Sequence, residues 1–135
     1  MGIPAGCETM CGMNPVVLDI ACLCAAWCGT CTAYETTFAE LTAAWPGHRL
    51  RWIDIEDEAE LVGDIDVETF PTLLVAHAGQ VLFAGPVLPR LGDAQRLLEA
   101  QLDGLAQGRL TPLTLSDEQQ KAYAVLAQAL AVSGN

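Results

Sequence analysis

Two cysteines separated by two residues, in Trp27-Cys28-Gly29-Thr30-Cys31, hold most of the chemical information in this chain. An apolar, strand-like run precedes them and a helix-like run follows. At such a corner the first cysteine lies over the unpaired N–H groups and positive dipole end of the helix. A thiolate is stabilised there, and the thiolate is the reactive form. Cys31, one turn later, is placed to close a disulfide with Cys28.

Cys22 and Cys24 stand in the preceding run. Side chains two apart on a strand share a face. One reading makes this pair small buried hydrophobes, the usual fate of free cysteine. The other makes it an auxiliary thiol pair that traps or relays oxidation. Cys7 and Cys11 lie in an irregular segment and read as incidental exposed thiols. Crowding four thiols into residues 22–31 fits redox or metal chemistry better than the stapling of distant loops. Their spacing does not match two Cys-x-x-Cys knuckles, so no metal is assigned. His48 and His77 are remote from the cysteines in sequence and read as solvated.

The surrounding pattern supplies elements to hold these thiols. Residues 1–15 are rich in glycine and proline and read as irregular. Val16 to Ala26 reads as a buried central strand. Gly29 to Ala44 reads as a helix with Tyr34, Phe38 and Leu41 on its inner face, ended by Trp45-Pro46-Gly47. Leu50 to Ile55 is a second strand, and Asp57 caps a short helix that Gly63 closes. Thr72–Ala76 and Val81–Ala84 form a hairpin about Ala78-Gly79. A helix over Leu91–Leu102 follows, then a linker over 104–115. Ser116 and Gln119 form a capping box that opens a last helix to Val132, striped by Tyr123, Leu126 and Leu130. This order predicts an α/β fold, a mixed sheet with helices on both faces and a right-handed first crossover between parallel strands.

Composition narrows the function. The chain has 135 residues, 52% of them hydrophobic, so one domain with a substantial core is expected. Seventeen acidic against six basic residues give a net charge of −11, which disfavours nucleic acid as a partner. Eight carboxylates fall in residues 54–68, read as a solvated surface or, more sharply, a docking surface for a basic partner. Residues 69–89 lack charge, but prolines and glycines interrupt them, so no membrane span is expected. The chain reads as soluble, intracellular and cytoplasmic.

Over residues 16–103 the chain resembles the thioredoxin family. The residues that carry the resemblance are Ala25-Ala26-Trp27-Cys28-Gly29-Thr30-Cys31, Trp52-Ile53-Asp54-Ile55-Glu56 and Thr69-Phe70-Pro71-Thr72-Leu73-Leu74-Val75, with Gly79 and Gly85 at the hairpin. The resemblance implies a thioredoxin-like fold that lacks the family's first strand and helix and adds a C-terminal helix. It implies protein disulfide reduction, with Cys28 as nucleophile, Cys31 as resolving thiol and a redox-active Cys28–Cys31 disulfide in place of any cofactor. Pro71 matches the family's cis-proline. Trp27, Gly29, Thr30, Phe70 and Pro71 are then expected to contact substrate. The implied partners are disulfide-containing proteins and an upstream thiol reductase, for a monomer or weak dimer.

The chain departs from the family at several positions. Cys22 stands where the family carries a buried Asp, and Trp52 aligns with the accompanying Lys. Losing both together leaves no unpaired buried charge, but it removes the usual proton acceptor for the resolving thiol. Thr30, Thr32 and Thr36 replace a proline, a basic residue and a helix-kinking proline. Two other functions fit the residues: a thioredoxin-like binding or chaperone module with weak turnover, and, less well, a metal-binding cysteine cluster.

Overall fold

The computed structural model describes residues 17–25, 28–67, 69–108 and 115–133. Cys7, Cys11, Trp27 and the expected irregular segment over 1–15 lie outside the described residues, as does half of the expected linker, residues 109–114. Among the described residues eight elements follow in order: β1 (Asp19–Cys24), α1 (Gly29–Ala44), β2 (Arg49–Asp54), α2 (Ala59–Val62), β3 (Thr72–His77), β4 (Gln80–Pro86), α3 (Leu91–Ala106) and α4 (Asp117–Ser133).

The four described strands form one sheet in the order β2-β1-β3-β4. β1 pairs parallel with β2, in register Cys22↔Trp52 and Cys24↔Asp54. It pairs antiparallel with β3, in register Cys22↔Leu73 and Leu23↔Thr72. A tight turn joins β3 to β4, with Ala78 at φ 52° and Gly79 at φ 83°. Two successive positive φ values match the twist of the flanking strands, and glycine adopts one of them without steric cost.

β1 is buried along its whole length, so its alternation divides the interior. Leu18, Ile20, Cys22 and Cys24 enter one layer, with Tyr34, Phe38 and Leu41 of α1 and Ala94 and Leu98 of α3. Ala21 and Leu23 enter the other, with Ile53 of β2, Leu74 of β3 and Ala122, Tyr123, Leu126, Ala127 and Leu130 of α4. The Tyr123/Leu126/Leu130 stripe is therefore buried against the sheet.

Three local expectations differ from what is found. Asp57 is not the cap of α2: Glu58 holds that position without a side-chain bond. Asp54 organises the preceding turn instead, its Oδ1 accepting the Glu56 and Asp57 N–H groups at 2.9 and 3.2 Å. α3 continues to Ala106, into the expected linker. At α4 one half of the capping box forms, with Gln119 N donating to Ser116 Oγ at 3.2 Å. The Gln119 side chain reaches the α2–β3 segment instead, accepting from Asp66 N at 2.9 Å and donating to Asp64 O at 3.3 Å.

Asp19 is buried and paired bidentately with Arg49, at 2.6 and 2.9 Å. Arg51 pairs with Glu58. His48 is only partly exposed, and its Nδ1 accepts the Leu18 N–H at 3.0 Å. Burial lowers its pKa from the ordinary value, so this histidine is a neutral acceptor in the fold rather than a solvated side chain.

Candidate active site

α1 begins at the corner that the sequence marks. Cys28 is its N-cap, in an extended conformation with no side-chain cap. Its N–H donates to Ala25 O at 3.0 Å, and its carbonyl accepts from Thr32 N at 3.1 Å and Thr32 Oγ1 at 3.2 Å. The Cys28 thiol is free and partly exposed, packed against the edge of the α1/α3 layer. Gly29 and Thr30, in the first turn, are exposed.

Cys31 points the other way. With Tyr34, Phe38 and Leu41 it forms the buried stripe of α1, and it is 1% exposed. This stripe faces the side of β1 that presents Cys22 and Cys24. The disulfide present joins Cys24 to Cys31, across a Cα–Cα distance of 5.7 Å. The expected Cys28–Cys31 pair is not the one joined in this state, in which Cys28 is free. The physical reason is direction: the third helical residue turns its side chain toward the sheet, where the end of β1 meets it, while the N-cap residue stays at the rim.

Cys22 lies one strand step deeper. Its Sγ is 3.8 Å from Cys24 Sγ; a bridged Cys24 has no proton, so the Cys22 S–H donates. Burial pushes the Cys22 thiol up to about 12, which keeps it protonated at neutral pH. Its register partner Trp52 packs edge-on against Phe38, ring centroids 5.8 Å apart. Where the family keeps a buried acid and base, this chain has an apolar contact. Nearby, the Tyr34 hydroxyl is buried without a hydrogen-bond partner among the described residues. Burial above all, with the neighbouring Cys22 and Asp93, raises it to about 12.

The Phe70–Pro71 peptide is cis. Continuing the β1–β3 register by one step sets Pro71 beside Cys24, and Phe70 packs against the cysteine layer. Pro71 O accepts the Val87 N–H at 3.1 Å. Phe70, Pro71, Cys24, Cys28 and Cys31 therefore gather at one end of the sheet.

Two residues escape the motif reading. A cleft of about 130 Å³ is lined by Ala25, Cys31, Thr32, Glu35, Trp52 and Asp54. It brings Glu35 and Asp54 beside Cys31. Glu35 was findable, since residues four apart on a helix share a face. Asp54 enters only through the β1–β2 register. Among the described residues, no three His, Cys, Asp or Glu side chains converge as a metal site, and no helix is long and apolar enough to cross a membrane.

A sequence profile described as Thioredoxin matches residues 13–86. The chain belongs to the thioredoxin family. It is 31% identical over 65 residues to Thioredoxin H2-1 of Oryza sativa subsp. japonica, a match covering 48% of this chain and 45% of that protein. The chain thus matches less than half the length of this curated relative. The fold is similar to that of the germline-specific thioredoxin Deadhead of Drosophila melanogaster, with a TM-score of 0.56 and 20% identity over 62% of this chain and 80% of that one. It is also similar to thioredoxin from Trypanosoma brucei brucei, with a TM-score of 0.52 and 23% identity over 67% of this chain and 76% of that one.

Proposed function

We propose that this chain reduces protein disulfides by dithiol–disulfide exchange. The Cys28 thiolate attacks one sulfur of a substrate disulfide, and a substrate thiolate leaves. Cys31 then attacks Cys28 Sγ, releases the second substrate thiolate and forms the Cys28–Cys31 bond. The substrate strand docks along Phe70-Pro71, with Gly29 and Thr30 on the opposite rim, and Trp27, outside the described residues, is a further expected contact. An upstream thiol reductase in a cytoplasmic, reducing setting returns the electrons.

The observation that supports this most is the contrast between two thiols one helical turn apart: Cys28 at the partly exposed N-cap of α1, Cys31 buried behind it. The proton of Cys31 has a route out through the cleft that holds Glu35 and Asp54. Insulin-disulfide reduction with dithiothreitol tests the reading. Wild type is expected to accelerate precipitation, and Cys28→Ser to return it to the rate of the dithiol alone. A wild type no faster than dithiothreitol overturns it.

The Cys24–Cys31 disulfide favours a second reading. With Cys31 engaged, Cys28 has no resolving partner, as suits a binding module with weak turnover. Stable partner capture without insulin reduction is the outcome expected of that reading.

A further inference from the structure

We propose that Cys24 is a third redox-active thiol, which competes with Cys28 for Cys31 and draws the oxidising equivalents of one turnover into the interior. The inference rests on the exchange chemistry proposed above and adds a step to it. After the Cys28–Cys31 bond forms, Cys24 Sγ attacks Cys31 Sγ and gives up its proton as it does so. The Cys24–Cys31 bond forms, the Cys28–Cys31 bond breaks and Cys28 leaves as a thiolate. Over the sequence the substrate disulfide gains two electrons and Cys24 with Cys31 lose two. The protons of Cys24 and Cys31 end on the two substrate sulfurs, and no further oxidant is needed.

Geometry places Cys31 between two partners. Cys28 is one helical turn before it, and Cys24 faces it from the end of β1 at a Cα–Cα distance of 5.7 Å, inside the range that a disulfide spans. Cys24 and Cys31 are 0% and 1% exposed, so a protein substrate reaches neither directly. Cys28 is their route to the surface.

The direction of exchange follows from where the displaced thiolate is left. When Cys24 bonds Cys31, the departing thiolate is Cys28, at the hydrated rim beside a helix N-terminus. When Cys28 bonds Cys31, the departing thiolate is Cys24, in a layer lined by Leu73, Phe38 and Leu18. A charge in such a layer is costly and a neutral disulfide is not, so the interior bond is favoured. Cys22 cannot take the place of Cys24, because it sits two residues deeper along β1 and stays a protonated donor to Cys24 Sγ. After one turnover Cys28 is the reactive thiol left at the rim, while Cys22 stays buried and protonated. Cys28 attacks a second disulfide and holds it, because Cys31 is occupied. An external dithiol restores the enzyme after Cys28 attacks Cys31 Sγ and brings the disulfide back to the rim.

The test uses the full chain carrying C7S and C11S, reduced and then treated with one equivalent of 4,4′-dithiodipyridine. The protein is acid-quenched, alkylated and cleaved with chymotrypsin after Trp27, which separates Cys24 from Cys28 and Cys31. Tandem mass spectrometry should find Cys28–Cys31 early, giving way to Cys24–Cys31 in at least tenfold excess with Cys28 alkylated. A second equivalent should then release about one thiopyridone from this protein and none from the same chain with Cys24→Ser. Persistent Cys28–Cys31, with Cys24 alkylated only on denaturation, overturns the proposal. Mapping the parent chain needs no Cys24 variant, so a folding defect in Cys24→Ser leaves the test decisive. Insulin reduction judges the exchange reading separately: an active enzyme with persistent Cys28–Cys31 loses only the third thiol.

Discussion

The two faces of the sheet differ in what they hold. The layer under α1 and α3 contains Cys22, Cys24 and Cys31, with Cys28 packed at its edge. The layer under α2 and α4 has no cysteine among its described buried residues; these are aliphatic side chains and Tyr123. β1 feeds both, and its period of two sorts Cys22 and Cys24 from Ala21 and Leu23. One strand thereby separates reactive sulfur from the packing that α4 completes. Substitutions on the first face should act on chemistry, and substitutions on the second on stability.

The most damaging change to activity should be Cys28→Ser, which removes insulin reduction while leaving the melting temperature within a degree or two of wild type, by parallel turbidity and circular dichroism measurements. A large fall in melting temperature would break the division. On the other face, Leu126→Ala should cost about 2–5 kcal/mol in urea unfolding, since the side chain is fully buried. Its specific activity per folded molecule should stay unchanged. Deleting residues 108–135 removes the whole helix and should lower stability further.

Arg49→Ala should cost about 1–3 kcal/mol, because it strips both bonds from the buried Asp19 carboxylate. Arg49 is partly solvated, which holds the effect below that of an interior pair. Cys22 gives a pH-dependent contrast. In the unfolded chain its thiol ionises near 9.0, in the fold only near 12. The fold keeps a proton that the unfolded chain has lost, so stability falls as pH rises through that window. Cys22→Ala should make the fall shallower by about 1.4 kcal/mol per pH unit, read from urea curves at stepped alkaline pH. The smallest effect belongs to Gln119→Ala, which unties α4 from Asp64 and Asp66 at about 0.5–1.5 kcal/mol. No change would mean that apolar packing alone seats α4.

Much of this was legible in the residues. The bounds of α1, the hairpin turn at Ala78-Gly79 and the parallel first crossover all follow from local pattern and chain direction. The shared face of Cys22 and Cys24 follows from strand periodicity. The resemblance carried by Thr69-Phe70-Pro71-Thr72 pointed to the family before any geometry was known. The cap of α2 was misread because Asp54, three residues earlier, took the N–H groups that Asp57 was expected to organise. The length of α3 was underestimated because Gly104 is tolerated inside a helix whose other positions favour it.

The sequence alone determined which chemistry is available: a dithiol at a helix start, backed by two more thiols on one strand face, with Cys22 and Trp52 where the family carries an acid and a base. Tertiary structure decided which sulfurs meet. Spacing along the chain favours Cys28 with Cys31, but the side chain of Cys31 leaves α1 toward the sheet, where Cys24 stands at the end of β1. Sequence distance sets the cost of closing a loop; the direction of a side chain in the packed fold sets which atom it finds.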